Sequence, residues 1–374
     1  MGRDDQQDTW DVALRRTAAG RGARSVVLYG LRGVGKTVLL SEFAKRARSS
    51  GWITAKIEAG SGKTLRASLG EALHAPLSDL AKPGAGARLL RALKTALSFK
   101  ASYDSTGTWN FGLDLSGQPS GGADSGSIEA DLGKVLHDIA VAAGDEGLGL
   151  ALLVDEAQDL TTEELTAICS VTHLAGQDGW PLLVALAGLP SLPRILAEAK
   201  SSSERLFEFE QIRELDQDLA RSAITEPAAD EGVVWDLPAV ELVVRETSGY
   251  PYFLQQLGQD TWNLAQGSPI TLADARAGAE RGRAALDNGF FRVRWDRATR
   301  AEQRYLRAMS LDGDSGSPSG VVAERVGKKV TALGPVRASL IGKGLIYAPE
   351  HGVVAHTVPG MAAFISRQPD EAQA

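Results

Sequence analysis

Gly30-Leu31-Arg32-Gly33-Val34-Gly35-Lys36-Thr37 has the spacing GxxxxGKT, that of a phosphate-cradling loop. The run before it, Ser25 to Tyr29, reads as a short buried strand, and Val38 to Arg48 after it carries apolar residues at helical spacing. Strand, glycine loop and helix in that order predict the P-loop fold. Glycines let the backbone wrap an anion with inward N–H groups, and the helix N-terminus adds its positive dipole end. Lys36 reaches the outer phosphates, and the Thr37 hydroxyl is a donor of the type that ligates Mg²⁺. The segment Gly30 to Val38, with Gly30, Arg32, Gly33, Val34, Gly35, Lys36, Thr37 and Val38 as contacts, is therefore expected to hold ATP.

Spacing matters, because Gly60-Ser61-Gly62-Lys63-Thr64 has a similar look. The position six before Lys63 is Ile57 rather than glycine, so this stretch reads as a polar turn after a strand from Trp52 to Glu58.

Binding needs the loop alone, but hydrolysis needs a second element. Gly149 to Val154 is a continuous apolar run of the kind covered on both faces of a sheet, and it ends in Asp155-Glu156. Asp155 is expected to hold the hydration shell of Mg²⁺, and Glu156 to polarise the attacking water as general base. The tetrad Asp155-Glu156-Ala157-Gln158 is shared with helicases, but no other helicase motif accompanies it.

At 374 residues the chain has room for two or three domains. With 43% hydrophobic and 23% charged residues its composition is that of a soluble protein, and a net charge of -7 argues against wholesale coating of nucleic acid. The single cysteine, Cys169, excludes an internal disulfide and lies in an apolar helical stretch, as a buried structural thiol does. The longest apolar runs are too short to span a bilayer and the N-terminus lacks a signal-peptide core, so the expected location is the cytoplasm, with no membrane contact. The histidines show no metal-ligand spacing and no GxSxG occurs.

Strand candidates at 25–29, 52–58, 148–154, 182–187 and 206–209 alternate with helical segments, which predicts a three-layer αβα parallel sheet. Between 98 and 127 alternating Phe99, Ala101, Tyr103 and then Trp109, Phe111, Leu113, Leu115 predict a β-hairpin insertion with a flexible tip. From Asp216 to Asp287 the pattern is helical, as in a lid. The expected domains are a core over 1–215, a helical lid over 216–297 and a last domain over 298–374.

With those motifs in place the chain resembles AAA+-type P-loop ATPases, in particular the group shared by archaeal origin-recognition-like ATPases and bacterial STAND signalling ATPases. The resemblance covers nearly the whole chain and implies further roles. Gly2-Arg3-Asp4 resembles the box beside the adenine, so Gly2 and Arg3 are expected there. Ser203-Glu204-Arg205-Leu206 resembles the box whose arginine reaches a neighbouring subunit's γ-phosphate, which implies a finger role for Arg205 and a homo-oligomer. Gly249-Tyr250-Pro251 resembles the GxP motif, whose proline, here Pro251, approaches the nucleotide. Two features depart from the family: Leu186-Ala187-Gly188 offers no polar sensor at its strand tip, and no sensor arginine stands near the GxP. Slow hydrolysis in a switch is the expectation.

In the last domain, Pro318 to Gly327 reads as a short helix ending in glycine. Thr331 is expected to cap a second helix whose buried face is Leu333, Val336, Leu340 and Ile341, with Pro335 in its first turn. Gly344 to Tyr347 and Val353 to Thr357 read as two strands, so the domain is expected to be a winged helix. Arg325, Lys328, Lys329, Arg337 and Lys343 lie in one stretch without an acid, a pattern suited to double-stranded DNA. The expected function is an ATP-binding and hydrolysing switch coupled to a winged helix that contacts DNA or a protein effector. The alternative is a nucleotide-stabilised interaction module with negligible turnover and no DNA binding.

Overall fold

The computed structural model describes residues 2–60, 62–80, 87–101 and 122–369. Contacts divide them into two units, one of residues 3–29 and 36–211, the other of residues 2, 30–35 and 212 onward.

The first unit runs α1 (Asp4–Ala18), β1 (Ser25–Tyr29), α2 (Lys36–Ser49), β2 (Ile53–Glu58), α3 (Leu65–Leu80), α4 (Ala87–Ala101) and α5 (Ile128–Gly144). It continues with β3 (Leu150–Asp155), α6 (Thr162–Asp178), β4 (Leu182–Gly188), α7 (Leu192–Ala199), α8 (Ser203–Leu206) and β5 (Phe207–Gln211). All strands are parallel, in the order β2-β3-β4-β1-β5. Every residue of β3 and β4 is buried, which is why both read as unbroken apolar runs. Helices pack on this sheet through stripes such as Leu65, Leu69, Leu73 and Leu77 of α3, each at most 2% exposed. Trp10 of α1 stacks on Phe43 of α2 with ring centroids 4.9 Å apart, and its Nε1 donates to the Phe43 carbonyl at 3.0 Å. This is the three-layer αβα sheet of the P-loop fold.

One expectation fails here. Phe99 and Ala101 are not in a hairpin strand but in the last turn of α4. Leu89, Leu93, Ala96 and Phe99 recur at spacings of three and four, a helical stripe, and Phe99 is buried with the Arg66 guanidinium 4.7 Å from its ring centroid. The rest of the expected hairpin, up to residue 121, lies outside the described residues.

The second unit begins with four helices: α9 (Gln217–Asp230), α10 (Leu237–Thr247), α11 (Pro251–Leu264) and α12 (Leu272–Ala285). A π-helical turn, Leu286–Phe291, leads into α13 (Arg292–Asp296) and α14 (Arg300–Ser310). Then come β6 (Ser317–Pro318), α15 (Ser319–Val326), a 3-10 turn over Val330–Leu333, α16 (Gly334–Gly342), β7 (Ile346–Tyr347), β8 (Val353–His356) and α17 (Met361–Ser366). The short strands form an antiparallel sheet, β6-β8-β7. One hydrophobic cluster runs from Ala220 to Ile365, so the division expected near Arg297 falls inside a shared core. Aromatic rings bind its halves together: Tyr252 stacks on Phe290 at 4.5 Å, and Phe291 stacks on Phe364 at 5.4 Å.

α15 ends at Gly327 in the left-handed region, as its sequence predicts. Two details differ. Thr331 sits inside the 3-10 turn rather than capping α16, whose first turn holds Pro335. Ile341 is 36% exposed, since α16 turns Leu340 inward, next to Leu333 of the preceding 3-10 turn, and leaves the adjoining position outside.

Candidate nucleotide site

The phosphate loop belongs by its contacts to the second unit. Gly30 has to be glycine, because a Cβ there would collide with the Ile212 carbonyl oxygen. Gly33 and Gly35 have φ of +86° and +95°, conformations that turn backbone N–H groups toward a bound anion. The loop is held by two other segments of its unit. The Tyr252 amide donates to the Gly33 carbonyl at 3.2 Å, and the Arg32 amide donates to the Thr357 carbonyl at 3.0 Å. Thr357, fully buried, is fixed in turn by donating its hydroxyl to the Gly344 carbonyl at 2.8 Å.

Pro251 is the first residue of α11, and its neighbours Tyr250 and Tyr252 are those a Cβ on Gly33 would meet, at 3.2 and 3.1 Å. Burial pushes the Tyr250 phenol well above its ordinary range, so it stays neutral. Arg294, which belongs to no motif, lies in the same cluster. Its guanidinium sits 3.9 Å over the Phe290 ring and donates to the Phe290 carbonyl at 2.6 Å. Burial, and then the charge of Arg32, hold it below the usual arginine value. Arg294 was not legible beside the GxP because it arrives through the fold, from beyond α12. Gly2 packs against the Leu219 side chain of α9, and Arg3 is the residue before α1.

Lys36 opens α2 in the first unit and is 7% exposed; Thr37 beside it is exposed. Asp155 ends β3 with 6% exposure, and its Oδ1 accepts the Glu156 amide at 2.9 Å. A hydroxyl and a carboxylate are hard oxygen donors, the chemistry Mg²⁺ takes. Glu156 adopts φ 48°, ψ 39°, a left-handed conformation that costs a non-glycine residue about 1–2 kcal/mol. That kink brings its carboxylate to Gln158, whose Nε2 donates to it at 2.7 Å. The Oε1 of Gln158 accepts the Leu189 amide at 2.9 Å, just past the tip of β4. A Cβ on Gly188 would lie 2.6 Å from that Oε1. The strand tip that lacks a polar side chain of its own is therefore filled by the carboxamide of Gln158.

Arg205 lies in α8, ahead of β5, and Phe207 pairs with Ser25 at the start of β1. It is exposed at the sheet edge opposite Asp155, and its guanidinium makes no ion pair among the described residues. Cys169 is buried, which pushes its thiol up to about 11.

The five cations of the last domain are not equivalent. Arg325 is held bidentate by Asp312, both bonds at 2.6 Å, and Lys343 donates to Glu302 at 2.6 Å. Burial alone would raise the Glu302 pKa, but bonds from Lys343, Ser339 and the Thr299 amide hold it at about 2. The stretch from 325 to 343 has no acid of its own because its acids come from α14 and the loop after it. Lys328 and Lys329 stay exposed, and Arg337 is half-buried.

Comparison with known families gives the loop and its surroundings a context. The profile of the AAA ATPase domain matches residues 1–185. The chain carries an AAA ATPase domain. Beyond this AAA domain, a profile described as a domain of unknown function matches residues 288–365. Among solved structures, the chain is similar to a Walker-type ATPase of Pyrococcus abyssi, with a TM-score of 0.60 and 15% identity over 97% of this chain and 95% of that one. At that identity the likeness is one of fold. Cdc6p of Pyrobaculum aerophilum matches with a TM-score of 0.48 and 13% identity over 98% of this chain and 93% of that one. Thermotoga maritima RuvB, a Holliday junction branch migration motor, matches at 0.47 and 13% over 99% and 96%. No curated protein matches the chain. No helix among the described residues is long and apolar enough to cross a membrane.

Proposed function

We propose that the chain is an ATP-binding and hydrolysing switch of the AAA+/STAND kind, in which the lid and a C-terminal winged helix read the nucleotide held by residues 30–37. The observation that carries this reading is the double grip on the phosphate loop, by Tyr252 on Gly33 and by Thr357 on Arg32. Amides that turn toward phosphate shift both contacts at once, so occupancy of the loop is felt at the start of α11 and at the end of β8.

Lys36 offsets the charge of the β- and γ-phosphates, and Gly2, Arg3 and Pro251 border the base and sugar. Thr37 and Asp155 would hold Mg²⁺, which when bound neutralises charge on the phosphate oxygens. Glu156 takes the proton of the attacking water, and Gln158 keeps its carboxylate aimed. Arg205 serves a neighbouring copy, where its positive charge meets the transferring phosphate. The winged helix consists of α15, α16 and the sheet β6-β8-β7. Lys328, Lys329 and Arg337 are its DNA-facing cations, with Arg325 and Lys343 already neutralised, and a protein effector is the other ligand class. The setting is the cytoplasm.

The test is steady-state ATP turnover with and without duplex DNA, beside equilibrium binding of a fluorescent ATP analogue. Wild type should turn over, and Glu156→Gln should bind and retain ATP without turnover. Equal turnover in both sinks the hydrolytic reading and leaves the interaction module. For DNA, Lys328→Ala with Lys329→Ala should make the log-log salt slope of binding shallower by about two. No duplex binding by wild type at low salt ends that half of the proposal.

A further inference from the structure

α9, α11 and the turn at 231–236 enclose an open groove of about 480 Å³. Buried Ile224, Ala228 and Leu254 line it, together with Trp235, Trp262 and Glu231. Trp262 is 41% exposed, and Val234 and Leu237, which flank Trp235 in sequence, are 59% and 68% exposed. The buried Nε1 of Trp235 has no acceptor among the described residues.

Glu231 is the charged residue that lines the groove, and the segments that form it are acidic. α9, the turn and α11 contain six carboxylates, Asp218, Glu226, Asp230, Glu231, Asp236 and Asp260, against a single cation, Arg221. Arg221 is held by Asp218 and Glu241, both at 2.6 Å, and Asp260 pairs with Arg281 at 3.2 Å. Glu226, Asp230, Glu231 and Asp236 make no ion pair among the described residues.

We infer that this groove docks a basic amphipathic helix of a partner protein. A helix laid in an apolar groove presents anchors at i, i+3, i+4 and i+7, and its flanks meet the rim. Here an indole wall suits the anchors, and Glu231 in the wall, with Glu226, Asp230 and Asp236 unpaired on the same helix and turn, suits lysine or arginine repeated at helical spacing. A small organic cation would engage one carboxylate and leave the others and the exposed Val234 and Leu237 unmet. Tryptophan in a partly desolvated pocket is the residue type that dominates such interfaces. The inference does not depend on nucleotide chemistry.

The experiment uses the full chain and three labelled synthetic peptides of about 15 residues, long enough for a helix. One carries leucine and lysine at helical amphipathic spacing, the second replaces each lysine by glutamate, and the third replaces each leucine by serine. Fluorescence anisotropy should show binding of the leucine–lysine peptide, with each of the other two weaker by about tenfold or more. Trp262→Ala should weaken that binding by about tenfold, as should Glu226→Lys combined with Glu231→Lys. Circular dichroism and thermal melting matching wild type establish that these surface variants are folded. Equal binding of the serine–lysine peptide overturns the inference, because charge alone then accounts for it. Insensitivity to Trp262→Ala overturns it as well. So does concentration-dependent self-association of wild type that Trp262→Ala abolishes, since a second copy then covers the groove.

Discussion

Two loops in this chain spell nearly the same word. Gly33-Val34-Gly35-Lys36-Thr37 and Gly60-Ser61-Gly62-Lys63-Thr64 both end in GKT, yet their lysines live differently. Lys36 opens a 14-residue helix and is 7% exposed, whereas Lys63 is an open surface residue bound to Glu71 at 2.7 Å. The glycines that precede them differ too. Gly30 is pressed against a backbone carbonyl that cannot yield, while a Cβ on Gly60 would meet Oδ2 of Asp159, the end of a side chain, at 2.8 Å. A phosphate loop is thus defined by what surrounds it, not by the local string.

The comparison is most directly tested with the two lysines. Lys36→Ala should abolish detectable binding of a fluorescent ATP analogue, while Lys63→Ala should leave affinity within about twofold, since an exposed ion pair contributes at most about 1 kcal/mol. Loss of binding in both variants would erase the distinction. The carboxylates extend it: Glu156→Gln should lower turnover by about 10²- to 10⁴-fold with binding retained, and Glu71→Gln, at the partner of Lys63, should not change it. Calorimetric or denaturant unfolding then separates the glycines. Gly30→Ala should cost about 3 kcal/mol through backbone overpacking, and Gly60→Ala about 1–2 kcal/mol, mainly through its positive φ, since the Asp159 side chain can move aside. A larger cost at Gly60 would mean that the surface turn is the more constrained of the two.

The smallest effect concerns acid. Burial pushes His356 from its ordinary 6.5 down to about 4, so it is neutral in the fold at pH 7. With the folded value below the unfolded one, the unfolded chain binds the proton first, and stability is lost as pH falls from about 6.5 through about 4. His356 adjoins Thr357, which grips the Walker loop and has no counterpart at the Gly60 loop. Acid should therefore lower amide protection factors around Arg32 before it does so around Gly62, and His356→Leu should flatten the fall of the melting temperature between pH 7 and 4.5. A fall as steep in His356→Leu as in wild type assigns the acid sensitivity to the carboxylates instead.

Much of this was readable in advance because it is local. The five strands begin and end within two residues of their apolar runs, since burial on both faces writes itself directly into β3 and β4. Phe99 misled because two alternating apolar residues at a helix end look like a strand when the stripe from Leu89 is not followed back. Gln158, Arg294 and the neutralised Arg325 and Lys343 were illegible for one reason: each is defined by a partner brought in by tertiary structure. Gln158 reaches β4, Arg294 joins Arg32 and Phe290, and Asp312 and Glu302 approach from outside the basic stretch.

The clearance at Gly188 has a consequence for how such a site varies among relatives. Gln158 and a side chain at position 188 compete for the same few ångströms, so the two positions form an exclusive pair. A lineage that acquires a polar residue at the end of β4 has to shorten residue 158, and one that keeps the glutamine has to keep the glycine. Across homologous chains the two positions should therefore change together or not at all. In a double-substitution cycle, Gly188→Asn should be harmful alone and tolerated beside Gln158→Ala.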